Sequence, residues 1–270
     1  YDQIHDPNET SQSSLSKKHV ECVDCHNPHA ANNTASEAPL ANGFLEGVQG
    51  IDQNGNITNP IQFEYELCFR CHSDNPVTSS STSRQIEQSN TRAEFGPSAV
   101  SFHPVEIVGR NNSVPGLVPP LTESSKIFCS DCHASNGSGA PAGPHGSIYP
   151  QILKYQYEKL DKTIESAFAY ELCYSCHTRS QYNMDMGSSV QRKVHYKHVV
   201  VENTPCNVCH DPHGISTMHG NPVNNSHLMN FDLGIVSARS SGELYFQDDG
   251  YQTGRCSLLC HGSDHNSRMY

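Results

Sequence analysis

Twelve cysteines fall into six close pairs along this chain, and a histidine directly follows the second cysteine of every pair. The pairs are Cys22/Cys25 before His26, Cys68/Cys71 before His72, Cys129/Cys132 before His133, Cys173/Cys176 before His177, Cys206/Cys209 before His210, and Cys256/Cys260 before His261. The first five read C-x-x-C-H; the sixth, Cys256-Ser-Leu-Leu-Cys260-His261, carries one extra residue. Two thiols on one short turn can each bond a vinyl group of a single porphyrin. The next residue then lies beneath the ring, with its imidazole within reach of the iron. The spacing therefore predicts six covalently attached c-type haems, with the twelve cysteines as thioether donors and His26, His72, His133, His177, His210 and His261 as proximal ligands.

Other uses of paired cysteines explain less. Three four-cysteine zinc sites would use all the thiols, but zinc does not require a histidine after each second cysteine. Disulfides between cysteines separated by two residues occur mainly in redox-active loops, and iron–sulfur clusters leave the histidines without a role. The longer sixth loop must bulge to present both sulfurs to one porphyrin.

The six motifs form three related units. Cys22-Val-Asp-Cys-His-Asn-Pro-His29 matches Cys206-Asn-Val-Cys-His-Asp-Pro-His213, and Cys129–His133 is followed by Pro144-His145 after a Gly/Ala/Ser insertion. Each is succeeded by a second motif, with 46, 44 and 50 residues between leading cysteines. Upstream lie His19, His103 and His198 in corresponding places. The expected organisation is an N-terminal segment 1–18 followed by paired-haem repeats 19–92, 93–182 and 183–270, in one continuous haem-cored domain.

Six proximal ligands leave eleven of the 17 histidines. Repeat logic selects His19 and His29, His103 and His145, and His198 and His213 as distal ligands. His29 and His213 stand too close to their own proximal histidine to reach over the same porphyrin, so each should serve a neighbouring haem; His29 could even serve one in an adjacent subunit. His195 and His227 are rivals in the third unit, beside apolar residues. His5, His219 and His265 are expected in solvent, and the five methionines show no repeat relationship.

The rest of the chain must wrap these groups. It has 35% hydrophobic residues and no tryptophan, too little for a conventional core, so the porphyrins should supply the apolar interior and the haem-free chain should be largely unfolded. The expected fold is mostly irregular coil with a few short α-helices and little β-structure, around six stacked c-type haems in three paired repeats. Residues 152–166 have helical apolar spacing and are expected to form the longest helix. Short helical turns are expected at the attachment motifs. Residues 111–120 and 134–147 should be loops, and 78–92 a connector. A net charge of −11 argues against nucleic acid, and no apolar run is long enough for a membrane span. Tyr1 opens a polar segment, as in a processed, secreted chain.

The doubled motif resembles that of multihaem cytochromes with paired C-x-x-C-H sequences, over most of the chain, and is similar to that of extracellular filament-forming cytochromes. The resemblance implies bis-histidine, low-spin haems in close-packed pairs that carry electrons along a chain. It also implies copies of the same chain, other redox proteins or extracellular acceptors as partners, and an extracellular or cell-surface location, with a periplasmic shuttle as the alternative. A multihaem oxyanion reductase would need a haem with a vacant side. The surplus of histidines argues against one, as does the absence of a motif ending in lysine, the variant at some multihaem nitrite reductase active sites.

Overall fold

The computed structural model describes residues 20–74, 82–184, 190–250 and 253–269. Four of the six motifs close a helical turn. α1 (Cys22–Cys25) and α4 (Cys129–Cys132) are single turns. The second motif occupies the end of α2 (Glu64–His72), and the fourth begins in α5 (Glu171–Tyr174). The fifth lies on a 3-10 turn, Cys206–Val208. The turn closes because the histidine amide donates to the carbonyl of the first cysteine: His26 to Cys22 at 2.8 Å, His133 to Cys129 at 2.9 Å, His177 to Cys173 at 2.9 Å and His210 to Cys206 at 3.0 Å. Asp24 and Asp131 sit at the same place in their motifs. Each carboxylate accepts the amide three residues earlier, from Glu21 and Phe128, at 2.8 Å. Such a bond satisfies a donor that a one-turn helix leaves open.

The remaining helices are α3 (Thr91–Phe95), α6 (Ser180–Asn183) and α7 (Val190–His195), the last running into a π-type turn, Tyr196–Val201. β1 (Gly50–Ile51) pairs with β2 (Ile57–Thr58), and β3 (Ser101–Phe102) pairs across units with β4 (Gly214–Ile215). The C-terminal part is an antiparallel sheet in which β7 (Thr253–Cys260) pairs with β5 (Val236–Ser237), β6 (Tyr245–Gly250) and β8 (Ser263–Met269). The sixth motif therefore stands on a strand, not on the expected helical turn.

Residues 152–166 also depart from expectation. They are irregular, and α2 is the longest α-helix among the described residues. Helical spacing loses here because the backbone is committed elsewhere. Gln151, Ile152 and Lys162 have φ of 58°, 53° and 65°, the Lys154 amide donates to Cys132, and Glu158 donates to Ala169. No described helix is long and apolar enough to cross a membrane.

The apolar interior is divided into small clusters, three of which include or pack against attachment cysteines. Tyr65, Phe69, Phe95, Ala99, Phe102 and Val105 form one cluster beside Cys129. Val208, Met229, Phe231, Val236 and Leu258 form another with Cys260, Cys209 and Cys256.

Buried charges tie the units together. From the connector, the buried Arg84 guanidinium donates to the carbonyls of Asn207, Asn230 (2.8 Å) and His210 (3.2 Å). Arg84→Gln should lower stability by about 2–4 kcal/mol, because carbonyls shut away from water lose a charged donor; chemical denaturation of the haem-loaded protein measures it.

Glu106 is buried, with no hydrogen-bond partner for either carboxylate oxygen in the described structure. Burial pushes its pKa up to about 7 against an ordinary 4.5, with Arg92 opposing. The folded state thus holds this proton more tightly than the unfolded one. Stability is fullest below about 4.5 and falls as pH rises towards 7. Glu106→Gln should remove a loss on the order of 2 kcal/mol from denaturation curves across that window.

Candidate haem sites

Consecutive motifs are neighbours in space, in chain order. Burial pushes the Cys25 thiol up to about 11, with Asp24, Cys68 and Cys71 adding to the effect, which puts the first motif beside the second. Burial and the neighbouring Cys68 push the Cys129 thiol well up, which puts the second motif beside the third. Cys132, pushed up to about 12 chiefly by burial, also feels Cys176 and Cys173 of the fourth. Cys173 and Cys206 pack against the same apolar cluster and each shifts the other's thiol, which puts the fourth motif beside the fifth. Cys209, raised to about 12 by burial, feels Cys260 of the sixth.

Side-chain links fix two of these junctions. Arg70, inside the second motif, donates to the Asp24 carbonyl at 3.1 Å and pairs with its carboxylate at 3.6 Å. Buried Glu64 accepts the Ser130 amide at 3.0 Å and its hydroxyl at 2.9 Å. The second link crosses the boundary expected between the first and second repeats.

The histidines stand in facing pairs. A metal–imidazole bond of about 2 Å, with the ring centre about 1 Å beyond the nitrogen, puts two rings on opposite sides of one iron about 6 Å apart. His26 and His145 have centroids 5.9 Å apart and planes within 4° of parallel. His133 faces His213 at 6.1 Å, His177 faces His103 at 6.4 Å, and His210 faces His195 at 6.2 Å. His198 faces His265 at 6.1 Å. Two pairs cross between the expected units: His145 of the second faces His26 of the first, and His213 of the third faces His133 of the second.

Hydrogen bonds orient these rings by Nδ1, turning Nε2 inward. His26 Nδ1 meets the Phe44 carbonyl at 2.9 Å, His133 meets Gln151 at 2.8 Å, His210 meets His227 at 2.8 Å, and His198 meets Val194 at 2.8 Å. His103 Nδ1 meets the Pro212 carbonyl at 2.6 Å, and His213 Nδ1 meets buried Glu94 at 3.2 Å. Tyr182 touches two sites, with its hydroxyl 3.3 Å from His177 Nδ1 and its ring 5.1 Å from His195. Such outer partners fix ring orientation and set ligand basicity. Burial holds His177 down to about 4 and His210 to about 3, so both are neutral and have a lone pair for iron at physiological pH.

The other sequence candidates are placed differently. His19 lies outside the described residues. His29 is exposed, and His72 has no imidazole facing it at the same distance among the described residues. His227 has Asn111 Nδ2 3.2 Å from Nδ1 and Asp248 3.3 Å from Nε2; it reaches the fifth site through its carbonyl. His265, expected in solvent, is buried. Reading 253–260 as a strand would have brought His265 to the same surface as the cysteines. Glu64, Arg84, Glu94 and Tyr182 carry no sequence signal, because their roles depend on contacts between distant segments.

Among the described residues no three His, Cys, Asp or Glu side chains gather around one metal position, as a zinc site would require. Thiol pairs with opposed, Nδ1-anchored imidazoles instead fit haem, and together they define a multihaem c-type cytochrome. Residues 51–220, more than half of the chain, match the family described as outer membrane cytochrome MtrC/MtrF-like, domains II/IV, and the chain belongs to that family. No curated protein and no solved structure matches it. Membership brings haem c as cofactor, redox proteins as partners, and a place at or outside the cell surface.

Proposed function

We propose that the chain carries six c-type haems and passes electrons along them as a subunit of an extracellular filament. The observation that carries this reading is the neighbour order of the cysteine pairs, first through sixth, together with facing imidazoles beside them. Bound haems supply one-electron chemistry. The polypeptide holds them at fixed spacing, keeps both iron faces occupied by imidazole, and sets each site's potential by hydrogen bonds and burial. An iron with imidazole on both faces transfers electrons without binding substrate, and the three paired units act as one continuous path.

Two features support a filament over a periplasmic shuttle. His29 is exposed, three residues beyond a proximal ligand, and His72 has no facing imidazole among the described residues. His72 takes its second ligand either from His19 of the same chain or from His29 of the next copy; the latter would tie neighbouring copies together through a shared haem.

Intact mass of the purified protein should show six added macrocycles, and electron microscopy should show regular filaments. Monodisperse globular particles at high concentration would favour the shuttle. A high-spin ferric signal in the wild type, with carbon monoxide binding, would favour a reductase.

A further inference from the structure

Fixed charges are distributed unevenly along the order of the motifs. An iron between two imidazoles gains an electron more easily when the charge beside it is positive. It gains one less easily when a ligand's Nδ1 proton is drawn towards an anion. The facing pairs His133/His213, His177/His103 and His210/His195 belong to the third, fourth and fifth motifs, and their surroundings change sign in that order.

At the third motif the charge is negative. His213 Nδ1 meets the carboxylate of buried Glu94 at 3.2 Å, and the His213 amide donates to Asp211 Oδ1 at 3.2 Å. Both carboxylates act on this imidazole, with Arg84 a weaker influence of opposite sign. At the fourth motif the partners are neutral. The Tyr182 hydroxyl lies 3.3 Å from His177 Nδ1 and the Pro212 carbonyl 2.6 Å from His103 Nδ1, with Asp211 a lesser influence on His103.

At the fifth motif the charge is positive. The Arg84 guanidinium donates to the carbonyl of Asn207, inside the motif, and to that of His210, the proximal ligand itself, at 3.2 Å. The Asn230 carbonyl takes another of its N–H groups at 2.8 Å. Arg84 is buried, and among the described residues only carbonyls accept from it. Its charge is therefore weakly screened and has no carboxylate to cancel it there.

We propose that Arg84 and Glu94 set a rising order of reduction potentials from the third motif through the fourth to the fifth, so that electrons run towards the iron between His210 and His195. Arg84 is then a positioning residue for electrons as well as a tie between segments.

The proposal rests on the haem reading above, and its test uses full-length protein whose intact mass shows the added macrocycles; a bare chain would overturn that reading instead. In a potentiometric titration followed by absorption, Arg84→Gln should move a single one-electron component downwards. Its reduced-to-oxidised ratio at fixed potential should fall roughly tenfold, about 59 mV. Glu94→Gln should move a different component upwards, and in the wild type that component should lie below the one that Arg84 governs. Arg84→Lys keeps the charge with fewer carbonyl bonds. It should lose stability yet hold its component near the wild-type position, and it serves if Arg84→Gln does not fold. His195→Ala opens the fifth iron to carbon monoxide, and adding Arg84→Gln to that background should lower the potential at which carbon monoxide binds. An Arg84→Gln curve superposable on the wild type, an equal shift in Arg84→Lys, or the two components in reverse order would overturn the charge order and leave electron transfer standing.

Discussion

His213→Ala is expected to turn one haem per chain from low-spin and inert into high-spin and able to bind carbon monoxide, with the other haems unchanged. His213 faces His133 at 6.1 Å, so its removal opens one side of the third iron without touching the thiols that hold the ring. The variant also strips buried Glu94 of its imidazole partner, leaving a carboxylate shut away from water. Stability should therefore fall too, by about 2–4 kcal/mol. Millimolar imidazole should restore the low-spin spectrum but not the stability, which separates the two effects. Glu94→Gln should keep the haem low-spin and raise its midpoint potential, because a neutral acceptor makes the imidazole a weaker donor. A wholly low-spin, carbon monoxide-inert His213→Ala protein would refute the pairing.

The haem-free chain should be largely unfolded, with far-ultraviolet circular dichroism near that of a random coil. The helices α1 and α4 that hold motifs are one turn long and α2 has nine residues, all below the length at which an isolated helix forms in water. The apolar clusters are small and separate, and attachment cysteines belong to or pack against three of them, where a bound ring would add apolar surface. Backbone ordering is then left without a compensating burial of apolar surface. Chain expressed without haem attachment, or with all twelve cysteines replaced by serine, provides the material. Native-like helix and strand signals with cooperative melting would contradict the expectation.

Chemistry confined to a few neighbouring residues is legible in the amino-acid order itself. The pairing of thiols with a following histidine reports a short-range requirement, two sulfurs and an imidazole on one turn, and spacing encodes it directly. Asp24 and Asp131 are equally local, since each caps the turn that contains it. The apolar pattern at 152–166 misleads because helical spacing states only a preference; Lys154 and Glu158 spend their amides on Cys132 and Ala169 instead. His265 escapes a reading of the sequence for a related reason, as its place beside the sixth cysteine pair exists only once β7 and β8 are paired.

From the sequence alone came the number and place of the attachment motifs and the class of cofactor. These follow from covalent and near-neighbour chemistry. Only the tertiary structure decided which imidazole opposes which, that His145 and His213 reach across units, that successive motifs lie side by side in chain order, and that the last motif rides on a strand. Those facts depend on long-range contacts such as Glu64 with Ser130 and β3 with β4, whose partners lie 66 and more than 100 residues apart and leave no periodic trace along the chain.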